Sequence, residues 1–296
     1  MKTLLILLSC LGILGSAEVQ RAESGHDAVF RIGISSRTFE KINRNDAIAA
    51  LKAWAATVVR ERDLPEQPEV TWFDPVEDLR TAFLQDRLDA VSVTVEEAML
   101  LGVQPEAVFL PATEQGFHVR YAVLVHRNGG ITDLKGLMGK TVVMHDGQRM
   151  VLARPWLENV MAGRRFGGLT PVENPSKAIL QVYFRQSRAA LVTMDAFALA
   201  CELNPQLQDD LKVLTVSPPF ITSFFFFRPT FQGRSRERLE AAITELHTTP
   251  GGRQVLTVFQ SSRMEKHPAS ILDATRQFLT AHGNPAKGVP SREAAP

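Results

Sequence analysis

The chain has 296 residues, with 33 Lys and Arg residues against 32 Asp and Glu residues and a hydrophobic fraction of 45%. This composition excludes a wholly disordered chain, and a net charge of +1 excludes a global basic field for nucleic acid or an anionic membrane. Two cysteines exclude a disulfide scaffold and a four-cysteine zinc site. The length is typical of about two domain-sized units.

Residues 1–17 have the layout of a secretory signal peptide. Lys2 precedes an apolar run from Leu4 to Leu14, and Gly15-Ser16-Ala17 offers small residues for cleavage. The apolar run is shorter than the roughly 20 residues that a membrane-spanning helix needs. We therefore predict an exported, periplasmic protein.

A lipoprotein leader is the alternative interpretation of this segment. Leu7-Leu8-Ser9-Cys10 would be the lipobox and Cys10 the lipid anchor, but the apolar run before Cys10 would be very short. Cleavage after Ala17 removes one basic residue and no acidic one, which leaves 32 of each. It also leaves Cys201 as the single cysteine, which we expect to be a small buried hydrophobe.

The first part of the chain alternates β-type apolar runs with helical patterns. Strands are predicted at 29–34, 70–73, 89–93, 107–110 and 119–125, and helices at 48–59, 75–83 and 95–101. The strands are continuous apolar runs without in/out alternation, which favours parallel strands covered on both faces. The pattern therefore indicates an α/β architecture.

The alternation resumes after Arg127 and changes character near residue 217. Strands are predicted at 141–144, 169–172, 189–193 and 211–216, and helices at 148–161, 174–184 and 196–203. A strongly β-prone stretch follows at 221–227, then helical stretches at 235–247, 252–259 and 270–281. The run of four Phe residues, 224–227, predicts a buried strand. Residues 282–296 are polar and predicted to form a disordered tail.

The order of these elements predicts two α/β lobes joined by two crossovers. Lobe 1 comprises residues 28–120 and 218–281, and lobe 2 comprises residues 121–217. This is the layout of a bilobal clamshell that closes on a ligand by hinge motion.

The chain lacks the common catalytic and nucleotide-binding motifs. It has neither a G-x-S-x-G elbow nor an H-E-x-x-H pair, and no two of its seven histidines have metal-ligand spacing. Gly139-Lys140-Thr141 is not a P-loop, because Leu134 stands where the first glycine is needed and the segment leads into a strand. We predict no catalytic residue, no metal site and no cofactor.

Four polar loops follow predicted strands and precede predicted helices. They contain Ser35, Ser36, Arg37 and Thr38; Thr94, Glu96 and Glu97; His145, Asp146, Gln148 and Arg149; and Thr193 and Asp195. Ligands of open α/β sheets bind at such strand ends, and helix N-termini favour anions. Each loop taken alone also fits an N-cap or a solvated charge. Four loops at equivalent positions favour a ligand site.

A series of short motifs runs along the chain. They are Phe30-Arg31-Ile32-Gly33-Ile34, Leu88-Asp89-Ala90-Val91, Asp133-Leu134-Lys135-Gly136 with Gly139-Lys140-Thr141-Val142, Arg188-Ala189-Ala190-Leu191-Val192-Thr193, and His247-Thr248-Thr249-Pro250-Gly251-Gly252 with Val255-Leu256 and Phe259. In this order they resemble the PhnD-like family, the periplasmic solute-binding proteins of phosphate, phosphite and phosphonate ABC transporters. The resemblance spans the chain from Phe30 to Leu279.

The resemblance implies a type 2 periplasmic-binding-protein fold, two α/β lobes joined by two hinge strands, with the ligand in the cleft and no catalysis. Phosphonate binders of the family carry a Ser-Thr-Ser type loop before the second-lobe helix, whereas this chain has Gly147-Gln148-Arg149-Met150. Arg149 at a helix N-terminus would replace the hydroxyls as an oxyanion partner. Glu96 or Glu97 would instead indicate a ligand that carries an amine, and Asp195 matches the family's acidic cleft position.

Several functions are compatible with this fold. The first is capture of a small anionic, phosphonate- or phosphate-like ligand for the membrane permease of an ABC importer. The second is a ligand-sensing subunit that feeds a membrane sensor, and a further one is binding of a metabolite without phosphorus. An enzyme on the same fold is the remaining class, for which no nucleophile is found. We expect a monomer that does not bind nucleic acid.

Overall fold

A computed structural model describes residues 28–38, 43–61 and 66–282. The predicted signal peptide at 1–17 with Cys10 lies outside the described residues, as does the tail from residue 283 onward. Export, lipidation and tail disorder therefore stay predictions.

The described part of the chain alternates strands and helices as the sequence predicts. The strands are β1 (Ala28–Ser35), β2 (Glu66–Phe73), β3 (Ala90–Thr94), β4 (Ala107–Ala112), β5 (Tyr121–His126), β6 (Thr141–His145), β7 (Gly168–Val172), β8 (Ala189–Thr193), β9 (Leu211–Val216), β10 (Ser223–Phe227) and β11 (Arg263–Pro268). The helices are α1 (Arg44–Glu61), α2 (Val76–Leu84), α3 (Val95–Leu101), α4 (Ala153–Val160), α5 (Pro175–Tyr183), α6 (Met194–Leu203), α7 (Gln206–Asp210), α8 (Arg234–Thr244), α9 (Pro250–Val258) and α10 (Asp273–His282). Short 3-10 turns cover Ser36–Thr38, Leu134–Leu137, Gln148–Met150, Leu246–Thr248 and Ala269–Leu272.

The strands form two separate sheets. The first sheet has six strands in the order β11-β4-β10-β3-β1-β2, and the second has five in the order β7-β6-β8-β5-β9. All strands of the second sheet come from the continuous stretch 121–216, whereas the first sheet is assembled from residues on both sides of that stretch. The chain therefore passes between the sheets twice.

The sheets are mixed, so the prediction of parallel strands was only partly right. β1 pairs in parallel with β2 and β3, and β6 pairs in parallel with β7 and β8. β10 runs antiparallel to β3, and β5 runs antiparallel to β8 and β9. The reason is topological: β5 and β10 each follow a crossover, so they enter their sheet at the edge where the parallel strands end.

The two crossovers, residues 113–120 and 217–222, pair with each other. The amide of Val119 donates to the carbonyl of Phe220 at 2.7 Å, and the amide of Phe220 donates back to Val119 at 2.8 Å. Beside this bridge, the Tyr121 amide donates to Ser217 Oγ at 2.8 Å and the Ser217 amide donates to the Tyr121 carbonyl at 2.8 Å. The predicted hinge strands thus form one short antiparallel ribbon.

Three elements differ from or go beyond the predictions. The predicted helix 148–161 is a 3-10 turn followed by α4, because Pro155 cannot occupy a helix interior and the helix must begin within a turn of it. Strand β11 was missed because its sequence, Arg-Met-Glu-Lys-His-Pro, is polar and lies at a sheet edge. The short helix α7 was also not predicted.

The four-Phe run forms β10 in the interior of the first sheet, as predicted. Phe224 and Phe226 belong to a core cluster that extends into the second sheet, and Phe227 belongs to a cluster with α1, α8 and α9 on the other face. Because side chains of a strand alternate between faces, this run fills both layers at once. Cys201, expected to be buried, is half-buried, and burial raises the pKa of its thiol.

The turn into α9 places one glycine against the backbone. A Cβ added at Gly252 would lie 2.0 Å from the carbonyl oxygen of Leu246, whereas one at Gly251 would meet nothing within 4 Å. We expect Gly252→Ala to lower the free energy of unfolding by about 2–3 kcal/mol through this overpacking. Gly251→Ala in the same helical turn should leave it unchanged or raise it by up to about 1 kcal/mol. Urea unfolding followed by circular dichroism measures both, and equal midpoints would contradict the packing argument.

Candidate functional site

The carboxyl ends of four strands meet the two crossovers, and all four predicted loops lie there. In the second sheet, Tyr121 at the start of β5 pairs with Thr193 at the end of β8. In the first sheet, Ser223 at the start of β10 pairs with Thr94 at the end of β3. Because β1 lies parallel beside β3 and β6 lies parallel beside β8, the loops after β1 and β6 share these edges. The topology therefore brings all four loops to the side of the sheets where the chain crosses.

Glu97 joins the two loops of the first sheet. Its side chain is fully buried, and one carboxylate oxygen accepts a hydrogen bond from Ser35 Oγ at 2.6 Å. The other oxygen accepts from the Thr94 amide at 2.9 Å, while Thr94 Oγ1 accepts from the Glu97 amide at 3.2 Å. Thr94 and Glu97 thus form a capping box, and both carboxylate oxygens of Glu97 already accept hydrogen bonds within the protein. Glu97 therefore does not present its carboxylate to a ligand.

Glu96, its neighbour, instead faces Arg37. Nη2 of Arg37 donates to a Glu96 carboxylate oxygen at 2.8 Å, and both side chains stay about a quarter to a third exposed. Thr38 Oγ1 donates to the Ser35 carbonyl at 2.7 Å and Ser36 begins the 3-10 turn between them. The first sheet thus presents one guanidinium paired with one carboxylate.

The second sheet presents a matching pair. Nη2 of Arg149 donates to Oδ2 of Asp195 at 2.7 Å, with side-chain exposures of 25% and 28%. The hydroxyl of the buried Tyr121 donates to the Arg149 carbonyl at 2.8 Å and so tethers the loop that contains Arg149 to β5. Burial raises the pKa of the Tyr121 hydroxyl further above its ordinary value.

Arg149 does not lie at an α-helix N-terminus, which corrects the expectation. It lies in the 3-10 turn Gln148–Met150, and α4 begins only at Ala153. Thr193 caps α6 through a hydrogen bond that Oγ1 accepts from the Ala196 amide at 3.2 Å, and Asp195 lies in the first turn of that helix. Asp195, not a helix end, therefore sets the electrostatics around the Arg149 guanidinium.

A cavity of about 300 Å³ adjoins this second pair. Its lining includes His145, Arg149, Thr193 and Asp195 from the predicted loops, and Gln115 from the first crossover. Of the predicted residues of these two loops, Asp146 is exposed and does not line the cavity, and Gln148 is described only by its backbone. This volume lies at the lower end of the range of small-molecule sites.

Sequence reasoning missed several residues of this region. Tyr121 and Gln115 were not singled out, nor were Pro175 and Glu202, which also line the cavity. A signal existed for Tyr121, because a tyrosine inside the apolar run Tyr-Ala-Val-Leu-Val needs a partner for its hydroxyl. No sequence signal marks Gln115, because only the geometry of the crossover brings it to the second sheet.

Among the residues that the structure describes, no three His, Cys, Asp or Glu side chains are grouped as metal ligands. None of the described helices has the length and apolar character that crossing a bilayer requires.

The comparisons with known proteins agree with this geometry. Residues 49–270 match the family model of the periplasmic substrate-binding proteins of phosphonate ABC transporters, which is three quarters of the chain. The chain belongs to this family. Its members are substrate-binding components of transporters, so a small ligand and a membrane permease are the expected partners of the family. No curated protein matches the chain significantly.

Solved structures confirm the bilobal type 2 periplasmic-binding-protein fold. The protein XAC2383 from Xanthomonas citri, bound to ATP, is 14% identical with a TM-score of 0.61, over 87% of this chain and all of that chain. PhnD1 from Prochlorococcus marinus in complex with methylphosphonate is 12% identical with a TM-score of 0.56, over 86% of this chain and 98% of the other. A binding protein component of an ABC phosphonate transporter from Pseudomonas aeruginosa is 13% identical with a TM-score of 0.54, over 91% of both chains. At these identities the similarity concerns the fold.

The different roles of two adjacent glutamates lead to a stability prediction. Glu97→Gln replaces one acceptor oxygen with an NH2 group that faces a buried donor, so we expect a loss of about 1–3 kcal/mol in the free energy of unfolding. Glu96→Gln removes a partly exposed ion pair on the same helical turn and should cost less than about 1 kcal/mol. Urea unfolding of both variants tests this prediction. Equal losses in the free energy of unfolding would show that the buried hydrogen bonds of Glu97 stabilise the protein no more than the partly exposed ion pair of Glu96.

Proposed function

We propose that this family member captures a small oxyanion of the phosphonate or phosphate type between two lobes and delivers it to an ABC importer. In this proposal lobe 1 comprises residues 28–120 and 218–281, and lobe 2 comprises residues 121–217. The observation that carries the proposal is the position of Arg149, which lies on the wall of the cavity and on the edge of its sheet that faces the crossovers. Arg37 lies at the matching edge of the other sheet. Two guanidinium groups then bind the anion from opposite lobes when the cleft closes.

The ion pairs leave donors for this purpose. Arg149 uses Nη2 for Asp195, and among the described residues no hydrogen bond is found from its Nε or Nη1. Arg37 likewise uses Nη2 for Glu96. Each carboxylate orients its guanidinium, as carboxylates do in preorganised sites. The second N–H of each Nη2, together with the neighbouring Nε–H or Nη1–H, provides the two parallel donors that a phosphonate oxygen pair accepts.

The two carboxylates favour a ligand that also carries a cation. The charges of the two pairs cancel, so a dianion alone would have to compete with Glu96 and Asp195 for the arginines. An amine on the ligand would bind to one carboxylate while the oxyanion takes the guanidinium. We therefore propose an aminophosphonate in preference to inorganic phosphate.

Sensing is the second proposed role of the same cleft, because both roles use the same closure. A ligand-sensing subunit in its closed, ligand-bound conformation would bind to a membrane sensor instead of a permease. Genes for a permease and an ATPase beside this one would favour import, and a sensor kinase gene would favour sensing.

A thermal-shift panel tests the ligand class. Aminoethylphosphonate, methylphosphonate, phosphate, phosphite, methanesulfonate and alanine are each added to the purified protein. A ligand at about 100 times its Kd adds about 2.7 kcal/mol, which is a rise in Tm of roughly 5–10 °C for a chain of this size. We expect the largest rise with aminoethylphosphonate. No rise with any oxyanion would refute the proposal, and an equal rise with methylphosphonate would refute its amine part.

Arg149→Ala should abolish the rise in Tm, because it removes the guanidinium from the cavity wall. Arg154→Ala is the matched control: Arg154 lies on the same lobe and its side chain is 68% exposed, and among the described residues its one ion pair is with Glu158, four residues away. This control should keep the full rise. A retained rise in Arg149→Ala would exclude Arg149 from the site.

Tyr121→Phe should weaken ligand binding without contacting the ligand. The substitution leaves the ring in place and removes the hydrogen bond to the Arg149 carbonyl, so the loop loses its support. A loss of about 1 kcal/mol corresponds to an affinity roughly 5-fold lower by calorimetry. The only other tyrosine provides the control, because the Tyr183 hydroxyl bonds to Gln206 on the exposed surface. Equal affinities for Tyr121→Phe and Tyr183→Phe would show that the tether has no role in binding.

A further inference from the structure

A second, smaller cavity lies at the opposite end of the second sheet from the binding loops. It has a volume of about 100 Å³, and its polar lining comes from His126 at the end of β5, from Asn128 and Gly129 after it, and from Arg185, Ser187 and Arg188 before β8. β8 runs from this cavity to the cleft edge over five residues, which is roughly 13–16 Å. The cavity is therefore separate from the proposed ligand site.

The histidine of this cavity is buried and has one unused nitrogen. His126 is 7% exposed, and its Nδ1 accepts a hydrogen bond from the Asn128 amide at 3.1 Å. Since Nδ1 is the acceptor, the proton of the neutral ring resides on Nε2. Among the described residues no acceptor is found for the Nε2–H. A buried donor without a partner is costly, so a ligand in the cavity would satisfy it.

The charge of the cavity is positive. Arg185 and Arg188 both line it, no acidic side chain does, and no ion pair involves either guanidinium in the part of the chain described. This contrasts with the cleft, where each arginine that we assign to the ligand is paired with a carboxylate. The second cavity therefore selects an anion without an amine.

The volume limits the size of the occupant. About 100 Å³ corresponds to the space of about three water molecules in the liquid. We propose that this cavity binds one tetrahedral phosphate-type oxyanion, held by the forks of Arg185 and Arg188 and by the Nε2–H of His126. The chemistry fits inorganic phosphate as well as the headgroup phosphate of an anionic lipid, since the neighbouring Phe184 is 62% exposed.

The backbone at Arg185 allows a clean test. Arg185 has φ +59° and follows α5 in a Schellman motif, with its amide bonded to the Val182 carbonyl and the Gln186 amide to the Gln181 carbonyl. Glycine is the favoured residue at this position, so Arg185→Gly removes the guanidinium while it relieves the backbone. Gln260 occupies the same position after α9, with φ +48°. Gln260→Gly is therefore a matched control that lies outside the cavity.

The experiment is an amide NMR titration with inorganic phosphate, with sodium chloride of equal ionic strength as the reference. All proteins carry Arg149→Ala, so that the proposed cleft site does not contribute. We expect saturable shifts of the Asn128, Gly129 and Arg188 amides. Arg185→Gly and Arg188→Gln should each lower the affinity at least 5-fold, with Tm unchanged or higher for Arg185→Gly, and Gln260→Gly should not change the affinity.

Vesicles separate the two sources of the phosphate group. Saturation by free phosphate identifies a small oxyanion. Phosphatidylglycerol vesicles that bind the protein in a sedimentation assay, where phosphatidylcholine vesicles do not and where Arg188→Gln abolishes binding, identify a lipid headgroup. Shifts that grow linearly with phosphate, or that persist in Arg188→Gln, together with no specific vesicle binding, would overturn the site. Because the cleft arginine is absent throughout, this result does not depend on the proposed transport function.

Discussion

The reciprocal pairing of Val119 with Phe220 is the constraint from which the rest of the site follows. It joins the two crossovers into a ribbon, and each crossover continues directly into a central strand of a sheet. Since β5 and β10 start at this ribbon, they run antiparallel to β8 and β3 and bring the carboxyl ends of those strands to the hinge. Helix N-caps and charged loops at those ends therefore lie beside the two crossovers, whatever their individual sequences. The position of the site is a property of the topology.

The chemistry of the site depends on pairing within each lobe. Arg37 with Glu96 and Arg149 with Asp195 are each partly exposed pairs, and such pairs add little stability. In the proposed site their value lies in orientation, because each carboxylate holds one Nη2 of a planar guanidinium. The net charge of +1 provides no global field, so in the proposed function local geometry selects the ligand.

Much of the fold and part of the site follow from the sequence alone. Continuous apolar strands and their alternation with helices predicted the α/β units and four polar loops at strand ends. The pairing of Arg37 with Glu96 and of Arg149 with Asp195 was not predicted. The direction of β5 and β10 did not follow, because strand direction depends on where a crossover enters a sheet and not on residue pattern. Pro155 explains why the helix after Arg149 begins late, and this signal is present in the sequence. The division of roles between Glu96 and Glu97 was also visible in the Thr94-x-x-Glu97 capping box, whereas the tether from Tyr121 required the packed structure.

The Phe strand has a consequence for the unfolded chain. β10 pairs with β3 and β4, which lie more than 100 positions earlier, so its partners are distant in sequence and such contacts form slowly. Until then, Ser-Phe-Phe-Phe-Phe is an uncharged β-prone segment of the kind that seeds aggregation. Pro218 and Pro219 precede it and Arg228 and Pro229 follow it. These flanking residues act as gatekeepers, since prolines cannot extend the ladder and Arg228 adds charge. The strand that fills both core layers is thus also the segment whose aggregation in the nascent chain the flanking prolines and Arg228 limit.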